Sequence, residues 1–258
     1  MSYALITGAS KGIGKEIATE LARRKYDLLL VARSEDVLSS LAASLTSEFG
    51  IKCLYIAADL STNEGIEKTV SFVSQKPELS ILVNNAGYAL WGRFDELRLD
   101  ELNSLMMINM FLPVNLTYRL LPLLKKSKQS YILNIASTTA YQAVPKLAIY
   151  SACKTFMINF SRALKYELKS SNVSVTCVSP GTTDTNFMDA AGMNSEAIRK
   201  KADKVKMKPS EVAKFAVDSM FRKKNEMIPG WLNKISVAVI PFLPKALTEK
   251  IAAGIYEK

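Results

Sequence analysis

The chain reads as an α/β protein, one doubly wound parallel β-sheet flanked by helices on both faces. Three observations predict it. Short apolar runs near 3–6, 28–32, 51–57, 80–84, 130–135 and 173–178 alternate with amphipathic helical stretches near 13–25, 35–49, 63–75, 99–126, 148–169 and 209–222. The runs are rich in Leu, Ile and Val at successive positions, as in strands covered on both sides. Behind the first run comes a glycine turn that opens a helix. No repeat or long linker divides residues 1–230, which we read as one domain, and residues 231–258 form a helical tail.

In chain order, Tyr3-Ala4-Leu5-Ile6 is the first strand and Thr7-Gly8-Ala9-Ser10-Lys11-Gly12-Ile13-Gly14 the turn. The helix behind it, with Ile17, Ala18, Leu21 and Ala22 on one face, aims free N–H groups and a positive dipole end at a pyrophosphate above the turn. The alternative is a purely structural strand-to-helix turn that uses two of the three glycines. Ligands of such sheets bind at the carboxyl ends of the strands. Polar motifs stand there: Arg33, Asp59-Leu60, Asn84-Asn85-Ala86-Gly87, Ser137 and Pro180-Gly181. Arg33 follows the second strand, where an acid would receive an adenosine ribose; arginine instead matches a 2′-phosphate. With Lys11 it favours NADP(H) over NAD(H), unless Arg33 merely caps a surface loop.

Composition excludes several chemistries. The chain has no histidine, so Ser-His-Asp and Cys-His schemes are absent, and proton transfer falls to Tyr, Lys, Cys or a carboxylate. Three cysteines without a C-x-x-C give neither a disulfide framework nor a zinc site, and no metal is expected. A net charge of +10 is spread along the chain without interleaved aromatics, which argues against a nucleic-acid partner. The chain enters a strand at once, so neither a signal nor a transit peptide is read; the cysteine usage fits a reducing cytoplasm, with membrane association through the tail left open.

Tyr150 and Lys154 lie four apart on a helical segment, hence on one face. With 10 tyrosines in a lysine-rich chain, that spacing alone is expected by chance. Context gives it weight, because Ser137 ends the fifth strand and the next helix carries Tyr150. Tyr141 has Pro145 at its fourth position and cannot form the pair.

Taken in order and spacing, Thr7-Gly8-x-x-x-Gly12-x-Gly14, Asp59-Leu60, Asn84 to Gly87, Asn109, Ser137, Tyr150-x-x-x-Lys154 and Pro180-Gly181 make the chain, over about residues 1–222, resemble a short-chain dehydrogenase/reductase. The resemblance implies a Rossmann-like fold and hydride exchange between a nicotinamide and a carbonyl or alcohol. Tyr150 would be the general acid or base, Lys154 would favour its phenolate and bind the nicotinamide ribose, and Ser137 would hold the substrate oxygen. Asn109 would bind a water linking Lys154 to solvent; a core asparagine bonded to backbone is the other reading. Gly8, Ser10, Lys11, Gly12, Ile13, Gly14, Arg33, Asp59, Leu60, Asn85, Ala86, Gly87, Tyr150, Lys154, Pro180, Gly181, Thr183 and Thr185 would surround the cofactor. Asn84 suits that floor or a brace between strands. A sensor or scaffold that binds NADP(H) with little turnover is the alternative function.

The carboxyl end departs from the family. The last strand is at best very short, so a homodimer through the helices near 99–126 and 148–169 is expected rather than the usual tetramer. Leu247, Ile251 and Ile255 recur at four-residue steps in the tail. Three placements stay open for it: over the substrate pocket, against a partner subunit, or in a membrane interface. Such a tail resembles the 3-oxoacyl and steroid reductase branch, which implies a hydrophobic ketone or an acyl thioester. Phe187, Met188, Met193 and Met207 stand in the expected substrate loop, about 186–208.

Overall fold

The computed structural model describes residues 2–185, 187–193 and 206–256. Within the first strand, β1 (Tyr3–Thr7), successive side chains go to opposite faces. Ala4 and Ile6 join one apolar layer, and Leu5 joins the other. Strand β2 (Asp27–Ala32) repeats the division, with Leu28 and Leu30 against Leu29 and Val31. Every side chain of both strands is buried, which is why they carry apolar residues without alternation.

The first layer is covered by α1 (Gly12–Arg23), α2 (Glu35–Phe49) and α8 (Pro209–Phe221), through Ile17, Leu21, Leu38, Leu45, Val217 and Met220. The second is covered by α3 (Asn63–Ser74) and α5 (Leu112–Leu124), through Ile66, Val73, Leu116, Leu120 and Leu124. The remaining strands are β3 (Cys53–Ala57), β4 (Leu79–Asn84), β5 (Ser130–Ile135), β6 (Val173–Val178) and β7 (Glu226–Met227). All pair in parallel in the order β3-β2-β1-β4-β5-β6-β7. The direction of winding reverses between β1 and β4, which opens a crevice at their carboxyl ends. The two-residue β7 leaves little edge for further pairing.

The stretch expected as one helix over 99–126 is interrupted. Helix α4 (Leu99–Met106) runs into a π-helical turn, Met107–Phe111, before α5 begins. Pro113 has no N–H to offer the Asn109 carbonyl four residues back, so the regular ladder cannot close there. The wider turn leaves the Asn109 side chain buried and pointing at the crevice.

The tail forms α9 (Trp231–Val239), a 3₁₀ turn (Ile240–Phe242) and α10 (Lys245–Tyr256). Val237, Thr248 and Ala252 are buried, whereas Leu247, Ile251 and Ile255 face outward. A four-residue step identified the shared face, and that face lies about a quarter-turn beside the buried one rather than on it.

Candidate active site

The β1–α1 turn is held open by two glycines in the left-handed region, Gly8 at φ 66° and Gly12 at φ 57°. Lys11 caps α1 with no side-chain hydrogen bond, so the first N–H groups of the helix point into the crevice. Thr7 and Asn85 brace the turn across the winding reversal. Asn85 Nδ2 donates to the carbonyls of Thr7 (2.9 Å) and Gly8 (3.2 Å). The backbone N–H groups of Asn85 and Ala86 donate to Thr7 Oγ1, which itself donates to Val83 O. A cavity of about 280 Å³ lies beside the turn, lined by Ser10, Lys11, Gly12, Asp184 and Thr185 among others. Thr185 packs over Gly12, and Thr183 pairs with Met207 and donates to Gly181 O. Ile13 is half-buried at the start of α1.

Farther along the crevice, Arg33 is exposed at the end of β2. Asp59, also exposed, accepts from the Ser61 N–H and hydroxyl; these bonds, with the Arg33 charge, hold its carboxyl below the usual range. Leu60 next to it is buried. Asn84 is a brace between strands: its Nδ2 donates to Asn134 Oδ1 (2.8 Å), and Asn134 donates to Ser161.

Lys154 is the hub of the other half. Helix α6 (Ala148–Glu167) carries it, fully buried, beneath Tyr150. Its Nζ donates to Ile135 O at 3.1 Å and lies 5.5 Å from the Tyr150 ring centre. Across from it, Asn109 Nδ2 donates to the carbonyls of Tyr88 and Leu105, both at 3.0 Å, and Asn109 Oδ1 is buried without a partner among the described residues. Gly87 is the spacer between them: a Cβ there would stand 2.5 Å from Asn109 Oδ1 and 3.5 Å from Lys154 Nζ. Ser137 caps the 3₁₀ turn Thr138–Tyr141 by accepting from Thr139 N, and Thr138 N ties that turn to Pro180 O. Tyr141 turns away from the crevice and donates to Glu226 at 2.7 Å; burial raises its hydroxyl pKa.

Burial pushes Lys154 down from 10.5 to about 8, so at neutral pH the ammonium still holds its proton beside Tyr150. Between pH 8 and 10.5 the unfolded chain binds this proton and the folded chain does not, so stability rises with pH there, by on the order of 3 kcal/mol. Lys154→Met abolishes that rise. Urea unfolding of both chains on either side of pH 8 should show the variant's relative advantage shrinking as pH increases. A pH-independent difference would refute the assignment. The buried cysteines Cys153 and Cys177, raised to about 11 and 12, act in the opposite direction but are common to both chains.

An apolar chamber surrounds Tyr150: Ala89, Val144, Leu147, Ala191, Met193 and Ala252 are buried with it, and Trp91, Phe187 and Met188 pack against them. Phe187, on the one-turn helix α7 (Phe187–Ala190), has its ring centre 5.6 Å from that of Tyr150. Residues 186 and 194–205 of the expected substrate loop lie outside the described residues. Several contributors carried no signal in the sequence. Ala252 comes from the tail, and Asn233 of α9 presses on Gly181, with its amide about 2.5 Å from where a Cβ would stand. Thr7 alone was visible, as the first residue of the glycine motif.

Comparison with known proteins agrees with this geometry. Residues 2–196 match the family model described as short chain dehydrogenase. A very-long-chain 3-oxoacyl-CoA reductase of Pyrenophora tritici-repentis is 36% identical over 182 residues, 69% of this chain and 53% of that protein. The human inactive hydroxysteroid dehydrogenase-like protein 1 is 31% identical over 180 residues, 69% of this chain and 54% of that protein. The chain thus spans about half the length of these curated relatives. A short-chain dehydrogenase from Sphingobium yanoikuyae, solved in complex with NADPH, superposes with a TM-score of 0.82 at 28% identity, covering 95% of this chain and 97% of the other. A glycine turn braced across the winding reversal, a Tyr-x-x-x-Lys helix over the end of β5 and a match across three quarters of the sequence all agree: the chain belongs to the short-chain dehydrogenase family of oxidoreductases.

Proposed function

We propose that the protein is an NADPH-dependent carbonyl reductase acting on a hydrophobic ketone or a 3-oxoacyl thioester. The observation that carries the reading is the buried Lys154 cation between Tyr150, Gly87, Asn109 and the end of β5. Bound in the crevice, the nicotinamide cofactor would supply the hydride. The residues present fit it: free helix N–H groups and Lys11 suit a pyrophosphate, and Arg33 suits a 2′-phosphate. Gly8, Ser10, Gly12, Ile13 and Gly14 shape the turn, Asp59 and Leu60 meet the adenine, and Asn85 to Gly87 form the floor. Pro180, Gly181 and Thr183 close over the nicotinamide side, and Thr185, packed over Gly12, reaches the phosphates.

Tyr150 donates its phenolic proton to the substrate oxygen as the carbonyl is reduced, and takes it back in the reverse direction. A free tyrosine with a pKa of about 10 is a poor base at neutral pH. The Lys154 cation lowers the cost of the phenolate. Ser137 holds the substrate oxygen by its hydroxyl. The unpartnered Oδ1 of Asn109 accepts from a water that returns protons to Lys154, since a buried acceptor left alone costs about 1–3 kcal/mol.

Trp91, Phe187, Met188 and Met193 around Tyr150 support a greasy substrate, as does the activity in the name of the fungal relative. The exposed Phe111, Tyr118 and Tyr166 on α5, its lead-in turn and α6 support a homodimer through those helices. Three free cysteines suit a reducing compartment, and we place the protein in the cytoplasm.

The test follows NADPH and NADH oxidation across small ketones, steroid ketones and 3-oxoacyl thioesters. Turnover is expected with NADPH and a hydrophobic substrate. Arg33→Ala should raise the KM for NADPH by about 10- to 100-fold, the worth of lost charge-assisted bonds. The KM for NADH should not change; equal effects on both would overturn the 2′-phosphate role. A second reading, cofactor binding with little turnover, is favoured by the relative whose name calls it inactive. Tight NADPH binding with no oxidation on any substrate would select it.

A further inference from the structure

We propose that the outward face of the carboxyl-terminal helix pair docks on an anionic lipid surface. The tail rests on the body by one narrow seam per helix. On α9 it is Asn233 and Val237, and on α10 Thr248 and Ala252, each pair four residues apart. Apart from Val237, the seam residues are small or polar. The bulky apolar ones lie outside the seam, opposite it on α9 and beside it on α10: Trp231, Ile235, Phe242, Leu247, Ile251 and Ile255 are all exposed, Phe242 to 87%. Phe242 stands at the tip between the two helices, in a turn framed by Pro241 and Pro244.

Six bulky apolar side chains exposed within one short tail mark a surface that meets a partner. Two occupants compete, and charge decides between them. Lys234, Lys245 and Lys250 are exposed among the apolar residues, against the single acid Glu249 in the described tail. In a symmetric pair of copies meeting through this face, the lysines would face one another across a dry contact. Against phosphate headgroups the same lysines are attracted, and their stems reach past the apolar residues to the headgroup level. Tryptophan at the start of α9 and lysine at the start of α10 are residues that favour that level. No described helix is long and apolar enough to cross a membrane, so the pair lies in the interface. Ala252, one residue beyond Ile251 and about 100° round α10, touches the apolar chamber of Tyr150, so docking of α10 sets that chamber beside the lipid.

Sedimentation of the full chain with phosphatidylcholine vesicles, with and without phosphatidylserine, tests the proposal. The readout is binding, so its outcome is separate from whether the reductase reading holds. The wild-type chain is expected to sediment with phosphatidylserine vesicles and to be released by salt. Phe242→Asp and Ile251→Asp, both at exposed positions, should weaken partitioning about tenfold or more. Both should keep the wild-type melting temperature, NADPH affinity and oligomeric state. Wild-type protein left in the supernatant, or variants that partition like wild type, would overturn the proposal. Light scattering that shows either variant losing an oligomer would assign the face to a second copy instead.

Discussion

Tyr150→Phe is expected to lower kcat by about 10²- to 10⁴-fold, the usual contribution of a positioned general acid. NADPH affinity should change by less than about tenfold, because one hydroxyl contributes a single hydrogen bond of about 1 kcal/mol to the bound state. The ring stays in its chamber with Phe187, so the melting temperature should hold. Residual activity should lose its dependence on the ionisation of Tyr150. Stopped-flow NADPH oxidation with the best carbonyl of the panel reads the chemical step directly. A variant as active as wild type would remove Tyr150 from the mechanism and move the proton source elsewhere in the crevice.

Gly14→Ala should have the next largest effect, on cofactor binding and on the fold together. A Cβ at Gly14 would stand 2.3 Å from Gly8 O and 2.4 Å from Asn85 Nδ2. Alanine gains up to about 1 kcal/mol of helix propensity over glycine. The clash outweighs it, because the atoms met are a backbone carbonyl and an amide already donating to Thr7 O and Gly8 O. Displacing Asn85 releases both bonds and spreads the turn, at a cost of about 1–3 kcal/mol. NADPH affinity should fall by about 10- to 100-fold as the helix N–H groups lose their aim. Fluorescence titration and thermal unfolding measure the two effects, and an unchanged affinity would show that the turn does not hold the pyrophosphate.

Much of this site was legible in the residues because its parts are local. The glycines of the first turn, the four-residue step from Tyr150 to Lys154 and the serine at a strand end each follow from a period or a steric allowance. Strand and helix positions were legible for the same reason, since burial of both sheet faces leaves unbroken apolar runs. Asn84 had two readings in the sequence, and its bonds to Asn134 and Thr117 from neighbouring elements make it a brace. The interruption of the helix at Met107–Phe111 went unseen, although Pro113 was there to cause it.

The sequence by itself determined the order of elements, the parallel sheet and the motifs at its carboxyl edge. Each of these depends on residues close in the chain, whose spacing sets a face and whose backbone freedom sets a turn. Tertiary structure alone decided that Asn109 and Lys154 face each other across Gly87, that Asn233 presses on Gly181, and that Ala252 rather than Leu247 or Ile251 reaches the chamber of Tyr150. Those contacts join residues far apart in the chain, and their geometry depends on how whole helices seat on the sheet. A periodic stripe tells which side chains share a face; only packing tells which way that face is turned.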